Sequence, residues 1–244
     1  MNNLQNFMKK VLLCCLKRSR FLIFVTSFLF VNILLKMFLI DVCRISGDSM
    51  CPTLKDGDYV VLCKYYAGIR LPRNMFEVPW IGTLAYYFNV SEKIDSVLHK
   101  SKRENFKRIG GDVFSVRAGD LVAFNDPLSV NGCVVKRCVG LPGEPINQYI
   151  DKNSLMFTPF SVIPYKGMRI SCRTLGEKEK TLLRKHRAFE FDKKDSSFVA
   201  VNDCYIMLGD NRRYSLDSRS WGVVSKDLFL GKVIYVFPTF NGFK

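Results

Sequence analysis

A mainly β fold behind one N-terminal membrane-spanning helix is what the sequence predicts, and three observations carry that expectation. Residues 21–40 form a single unbroken apolar run. Beyond it, short β-branched runs recur, each bounded by Gly, Asp, Asn or Pro. Between those runs there is no amphipathic helical period of the kind that builds βαβ units, so a sandwich or barrel-like core is expected. The chain has 244 residues, 48% apolar and 24% charged, an ordinary globular balance that excludes wholesale disorder and permits a sizeable core.

The first element is the apolar run FLIFVTSFLFVNILLKMFLI. Twenty helical residues at about 1.5 Å each span roughly 30 Å, the hydrocarbon thickness of a bilayer. Its one charge, Lys36, lies close enough to the end for its stem to carry the ammonium to the interface. Lys9, Lys10, Lys17, Arg18 and Arg20 precede it without an acidic residue, while Asp41 and Arg44 nearly balance after it. The positive-inside bias places residues 1–20 in the cytoplasm, 21–40 in the membrane, and 41–244 outside. A cleavable signal peptide fits less well, because the run is too long and no small-x-small site follows. The expected localisation is therefore the inner (plasma) membrane, single-pass, with the N-terminus cytoplasmic and residues 41–244 periplasmic or extracellular. The formal charge of +15 suits an anionic surface, and the position of the basic cluster selects anionic membrane lipids over nucleic acid.

The strand signals follow in order: Asp58–Leu62, Asp120–Asn125, Cys133–Val139, Cys204–Leu208 and Lys232–Phe237. Two stretches interrupt them. Residues 68–112 mix aromatics with a basic segment and read as an insertion; residues 145–200, rich in Lys and Arg, read as a peripheral subdomain. Nine cysteines lack metal spacing, and two histidines add little, so neither a metal nor another cofactor is expected. Cys51, Cys63, Cys133 and Cys138 sit in apolar runs and read as small core residues. Cys172 and Cys204 are candidates for a disulfide if the outer compartment is oxidising, a pairing that sequence alone leaves open.

Chemistry concentrates in three stretches. SGDSMCPTL, residues 46–54, sets Ser49 on a turn, because Pro52 lacks an amide hydrogen and pushes Cys51 towards extended geometry. Alone, this is an ordinary turn serine. A serine nucleophile needs a base, and neither His99, in a polar segment, nor His186, in LLRKHRAF, has neighbours that would orient an imidazole. The alternative is a lysine stripped of water, since burial disfavours the ammonium and lowers its pKa. Lys136, in GCVVKRCVGLPGE, has the apolar surroundings for it, though an isolated strand lysine also reads as solvent-facing. The third stretch, GDNRRYSLDSRSWG, is dense in residues that hydrogen-bond one another. It offers Asp217 to Arg219, Asp210 to Arg137, and Ser215 to a lysine amine.

Taken together, in this order and behind an anchor, these stretches resemble the bacterial type I signal peptidases, including the related peptidases of conjugative transfer systems. GDYVVLCKYYAGIRLP and GDLVAFNDP extend the resemblance. It implies a signal-peptidase-like β core with a hydrophobic face at the membrane surface. It implies Ser49 as acylated nucleophile, Lys136 as general base, Ser215 as its orienting partner, and Asp210, Arg137, Asp217 and Arg219 as structural. Met50 and Val134 are expected to line shallow substrate pockets. Some members carry a serine two positions before the nucleophile; Gly47 stands there in this chain, so the oxyanion would depend on backbone amides, chiefly that of Ser49. The implied reaction is removal of signal peptides from exported preproteins through an acyl-enzyme. A narrower reading is a dedicated processing peptidase for a pilin or another conjugation component. More distant are a self-cleaving repressor-like Ser–Lys protease, which is cytoplasmic and lacks an anchor, and a non-catalytic membrane adaptor.

Overall fold

The computed structural model describes residues 2–67, 69–70, 108–109, 116–127, 133–149, 161–186 and 188–239. Helix α1 spans Asn2–Phe38, so the apolar run continues a helix begun in the basic segment. Ser19–Phe38 is long and apolar enough to cross a membrane, with mean hydropathy 2.2. After α1 the chain turns at once into β1 (Ile40–Arg44), whose apolar residues read as the tail of the anchor in sequence. Lys64 ties the two together: its Nζ donates to the Lys36 carbonyl at 2.8 Å and lies 2.9 Å from Asp41.

All five expected strands are present, as β2 (Tyr59–Cys63), β5 (Leu121–Asn125), β6 (Cys133–Gly140), β10 (Cys204–Leu208) and β12 (Phe229–Phe237). With β1 and β11 (Val224–Ser225) they form one sheet in the order β1-β2-β12-β5-β6-β10-β11, every pairing antiparallel. Residues 145–200 contain a second sheet that the sequence did not announce: β7 (Arg169–Ser171), β8 (Phe189–Asp192) and β9 (Ser197–Ala200), in the order β7-β9-β8. A short helix, α2 (Glu177–Lys185), precedes β8. Of residues 68–112 only β3 (Ile69–Arg70) and β4 (Arg108–Ile109) are described, and they pair with each other. His99 lies outside the described residues.

Three apolar clusters hold these layers. Ile170, Leu183 and Phe198 pack against Ile206, Leu208 and Val223, which docks the second sheet on β10 and the segment leading into β11. Phe124, Trp221 and Phe229 centre the second cluster, with the Phe124 and Phe229 ring centroids 6.2 Å apart. Each fully buried Phe contributes about 1.5–3 kcal/mol relative to exposure. The third cluster draws Ile45, Met50 and Leu54 of the serine loop onto Val60, Ala123 and Val135 of the sheet. Its members come from β2, β5 and β6 as well as from the chain flanking β1, so the sheet curls around it and brings β1 towards β6.

The cysteines differ from expectation. Only Cys138 of the four supposed core thiols is buried; Cys51 and Cys63 are half-buried and Cys133 is exposed, because it starts β6 rather than sitting within it. Cys172 and Cys204 are both reduced and not joined.

Candidate active site

The serine loop, residues 46–57, leaves β1 and returns to β2 through three ties across its neck. Ile45 N–H donates to the Asp58 carbonyl at 2.7 Å, Gly57 N–H to the Ile45 carbonyl at 3.0 Å, and Gly47 N–H to Asp56 Oδ1 at 2.8 Å. Gly47 has φ +88°, in the left-handed region that favours glycine. Its amide is thus committed to Asp56. The Ser49 amide donates to no acceptor among the described residues. Met50 is 1% exposed and plugs the loop into the core, while Val134 is half-buried beside the second cluster.

Lys136 pairs with Val122 in the middle of the sheet, and its side chain reaches the loop. Nζ donates to Ser49 Oγ at 2.6 Å, and the residue is only 3% exposed. Burial pushes the Lys136 ammonium below the usual lysine range. Asp217, Asp126 and Asp210 pull the other way, and Arg219 adds to the lowering. Asp210 and Asp217 are expected from sequence to pair with Arg137 and Arg219. Their arginines are there, yet both carboxylates still act on Lys136 at range, and Asp126 was not foreseen.

The polar loop after β10 clamps this pair from the far side. Asn211 N–H donates to the Ser49 carbonyl at 3.1 Å, and its side-chain amide donates to the Asp48 carbonyl at 3.1 Å. Arg137 grips Asp210 with two hydrogen bonds, Nε to Oδ1 at 2.8 Å and Nη2 to Oδ2 at 2.7 Å. Thr53 Oγ1 donates to the same Oδ2, which links the serine loop to the clamp. The Arg137 guanidinium holds Asp210 below the ordinary carboxylate range. Arg219 grips Asp217 likewise, at 2.8 and 2.9 Å. Burial works against the Asp217 charge, but Arg219 and the Gly209 N–H keep it below the ordinary range. Asp217 also caps α3 (Ser218–Trp221), accepting from the Arg219 N–H at 3.2 Å.

Two residues that the sequence reading passed over shape the site. A Cβ on Gly209 would lie 2.6 Å from the Ser49 carbonyl oxygen and 2.5 Å from Ser215 Cβ, so only glycine lets this loop close on the Ser49 backbone. Asn211, within GDNRRYSLDSRSWG, is the second, since nothing in its residue type predicts its hold on the serine loop. Ser215 stands beside this contact, but its hydroxyl serves the Asp217 carboxylate and the Leu216 carbonyl, 3.4 Å away, and not Lys136.

His186 lies away from this cluster. Its Nε2 is 2.9 Å from the Val223 carbonyl, its Nδ1 accepts from the Ala188 N–H at 3.3 Å, and its ring packs on Phe189. That pair of contacts fixes a neutral ring with the proton on Nε2, and burial lowers its pKa. Among the described residues no three His, Cys, Asp or Glu converge as a metal site.

A hydroxyl held by a desolvated amine, with a donor amide beside it, is an acyl-transfer arrangement. The model of the signal peptidase, peptidase S26, family matches residues 18–238. The chain belongs to that family. It is similar to signal peptidase I of Buchnera aphidicola subsp. Baizongia pistaciae, 24% identical over 86% of this chain and 73% of that protein. It is also similar to signal peptidase I of Pseudomonas fluorescens, 29% identical over 86% of this chain and 68% of that one. A crystal structure of a signal peptidase I from Enterococcus faecalis V583 is 26% identical and covers 49% of this chain and 97% of that one, with a TM-score of 0.25. The family consists of serine endopeptidases whose mechanism is a Ser–Lys dyad.

Proposed function

We propose that this chain removes signal peptides from exported preproteins, with Ser49 as nucleophile and Lys136 as its base. The observation that carries the reading is the 2.6 Å contact between Lys136 Nζ and Ser49 Oγ at a site where burial favours the neutral amine. With Lys136 neutral, the hydroxyl donates to Nζ instead and loses its proton as Oγ attacks the scissile carbonyl. The developing oxyanion is met by the Ser49 N–H, which has no competing acceptor among the described residues. Lys136 then passes its proton to the leaving amine and, as base again, activates the water that hydrolyses the Ser49 ester.

The supporting roles divide by geometry. Asp210 with Arg137, and Asp217 with Arg219, hold the clamp loop against the serine loop. Ser215 orients the lysine only after turning from Asp217 and Leu216. Gly47 shapes the loop rather than donating to the oxyanion, since its amide is occupied. Val134, half-exposed two residues before Lys136, is the better placed of the two pocket candidates; Met50 supports the pocket from beneath.

The N-terminus is cytoplasmic and the sheet lies outside, at the membrane surface. Exposed Val42, Tyr59, Ile234, Tyr235 and Phe237 on β1, β2 and β12 give that surface an apolar face close to the end of α1. The test is direct: the purified chain, in detergent with a preprotein, is expected to release a mature protein whose new N-terminus follows the apolar segment. An uncut preprotein overturns the reading. A reporter active only outside the cytoplasm should work when fused after residue 244 and fail when fused before residue 20; the reverse pattern overturns the topology.

A further inference from the structure

Two segments of the chain make the Ser49–Lys136 contact, and each carries a cysteine just before it. Cys43 lies on β1 ahead of the serine loop, and Cys133 opens β6, three residues before Lys136. In the sheet Asn125 pairs with Cys133 and Ala123 with Val135, so strand alternation puts Cys133 on the same face as Val135. Cys43 packs on the apolar cluster that contains Val135 and Ala123. Both side chains therefore stand on one face of the curled sheet, and their thiols hydrogen-bond to each other.

The backbone around them is also arranged for a third strand. β1 is the last strand at one end of the sheet. Among the described residues β10 covers β6 only from Arg137 to Gly140, so there Val134–Lys136 offers an edge on the side away from β5. A substrate peptide reaching the dyad in extended form would be seated between these two edges, adding backbone hydrogen bonds to both. This placement rests on the peptidase reading above.

We propose that Cys43 and Cys133 form a reversible disulfide that closes this groove and makes cleavage depend on the redox state of the surrounding compartment. The distances make disulfide and bound peptide exclusive. A strand seated between two others holds the outer pair about 9.5 Å apart, two interstrand spacings. A disulfide requires Cα atoms within about 7 Å of each other. The chemistry needs a small-molecule or protein disulfide as oxidant. The Cys43 thiolate attacks one sulfur of that disulfide and expels the other as a thiol, leaving a mixed disulfide. Cys133 then attacks Cys43 Sγ, and the second thiol leaves with the proton; two protein thiols are oxidised and one disulfide is reduced. Cys43 is suited to the first attack. Its hydrogen bond with Cys133 lowers its pKa; burial and Asp41 oppose that, and Lys64 and Lys36 assist. Cys133, exposed, is reachable for the exchange.

The experiment equilibrates the purified full-length chain in glutathione buffers from fully reduced to fully oxidised. Thiols are then trapped, peptides mapped by mass spectrometry, and preprotein cleavage measured in parallel. The expected result is a linked peptide containing Cys43 and Cys133 whose appearance tracks the loss of cleavage, with both reversed by dithiothreitol. In Cys43→Ser and in Cys133→Ser the ratio of oxidised to reduced rate should stay at one, whereas Cys63→Ser should switch like the parent. No linked peptide at any potential, a linked enzyme that cleaves at the reduced rate, or a Cys43→Ser protein still silenced by oxidant would each overturn the proposal. A reduced protein that never cleaves counts against the peptidase reading instead, and the thiol map still reports on the disulfide.

Discussion

Two bases are tucked into this molecule, one in the seven-stranded sheet and one beside the three-stranded sheet, and burial lowers the pKa of both. Lys136 sits mid-strand in the seven-stranded sheet, and its amine meets a hydroxyl on a loop pinned from both sides. His186 sits between α2 and β8, and both of its ring nitrogens are taken by backbone groups. Desolvation alone therefore does not single out Lys136 as the proposed base. Company does: Lys136 has a potential proton donor with a job to do, while His186 has a carbonyl and an amide that lock it in place. The surroundings differ in the same way. Near Lys136, Asp210 and Asp217 are each gripped by an arginine, and burial still lowers the lysine although both carboxylates and Asp126 pull it upward.

The comparison breaks most readily at the dyad. Ser49→Ala and Lys136→Arg should each reduce preprotein cleavage to background while α1 still inserts, because a guanidinium does not deprotonate at usable pH. His186→Gln should cleave at close to the parental rate. A serious loss there, with Lys136→Arg active, would exchange the roles of the two bases.

Next in size is the fit of the clamp. Gly209→Ala places a methyl against the Ser49 carbonyl and Ser215, so the loops must part. A displacement of an ångström at the nucleophile costs on the order of 100-fold in rate. The expected signature is a fall in kcat with far less change in thermal midpoint; unaltered kcat would show that the serine loop is not held by this contact.

A smaller effect on rate but a larger one on stability is expected from Arg219→Ala. It leaves Asp217, 0% exposed, as a buried unpaired charge, which costs about 3–5 kcal/mol. Urea unfolding should register that loss. A change below about 1 kcal/mol, the range of surface ion pairs, would mean that Asp217 is better solvated than its burial indicates.

The same contrast explains what was legible in the sequence. The strands around Lys136 are continuous β-branched runs between turn residues, so β2, β5, β6, β10 and β12 were readable from pattern alone. β1 was not, because Ile40 and Val42 prolong the apolar run of α1 and only the turn at Leu39 separates them. β7, β8 and β9 are short and carry Arg, Glu, Asp and Ser, and they gain their burial only by docking on Ile206 and Leu208. α2, EKEKTLLRK, is mostly charged and shows no wide apolar face. At the site, residue types announced the two Asp–Arg pairs, since few other partners fit a carboxylate in a dense polar loop. The bonds that needed three dimensions did not announce themselves. Gly47 surrendering its amide to Asp56 and Ser215 bonding within its own loop are local choices that residue type does not dictate, and Asn211 holding the backbone on both sides of the Asp48–Ser49 peptide depends on two loops that meet across 163 positions of chain.

The central claim is that a buried, neutral Lys136 is the base, and the pH dependence of kcat/KM in the parent and in His186→Gln tests it most directly. On the proposed mechanism the free enzyme is active only with Lys136 deprotonated. Its folded pKa lies below the unperturbed value of about 10.4, so kcat/KM should climb with pH through that lowered pKa and then level. The climb should be the same in His186→Gln, because the ring takes no part. A maximum near pH 5, or an acidic limb that vanishes with His186, would contradict the account.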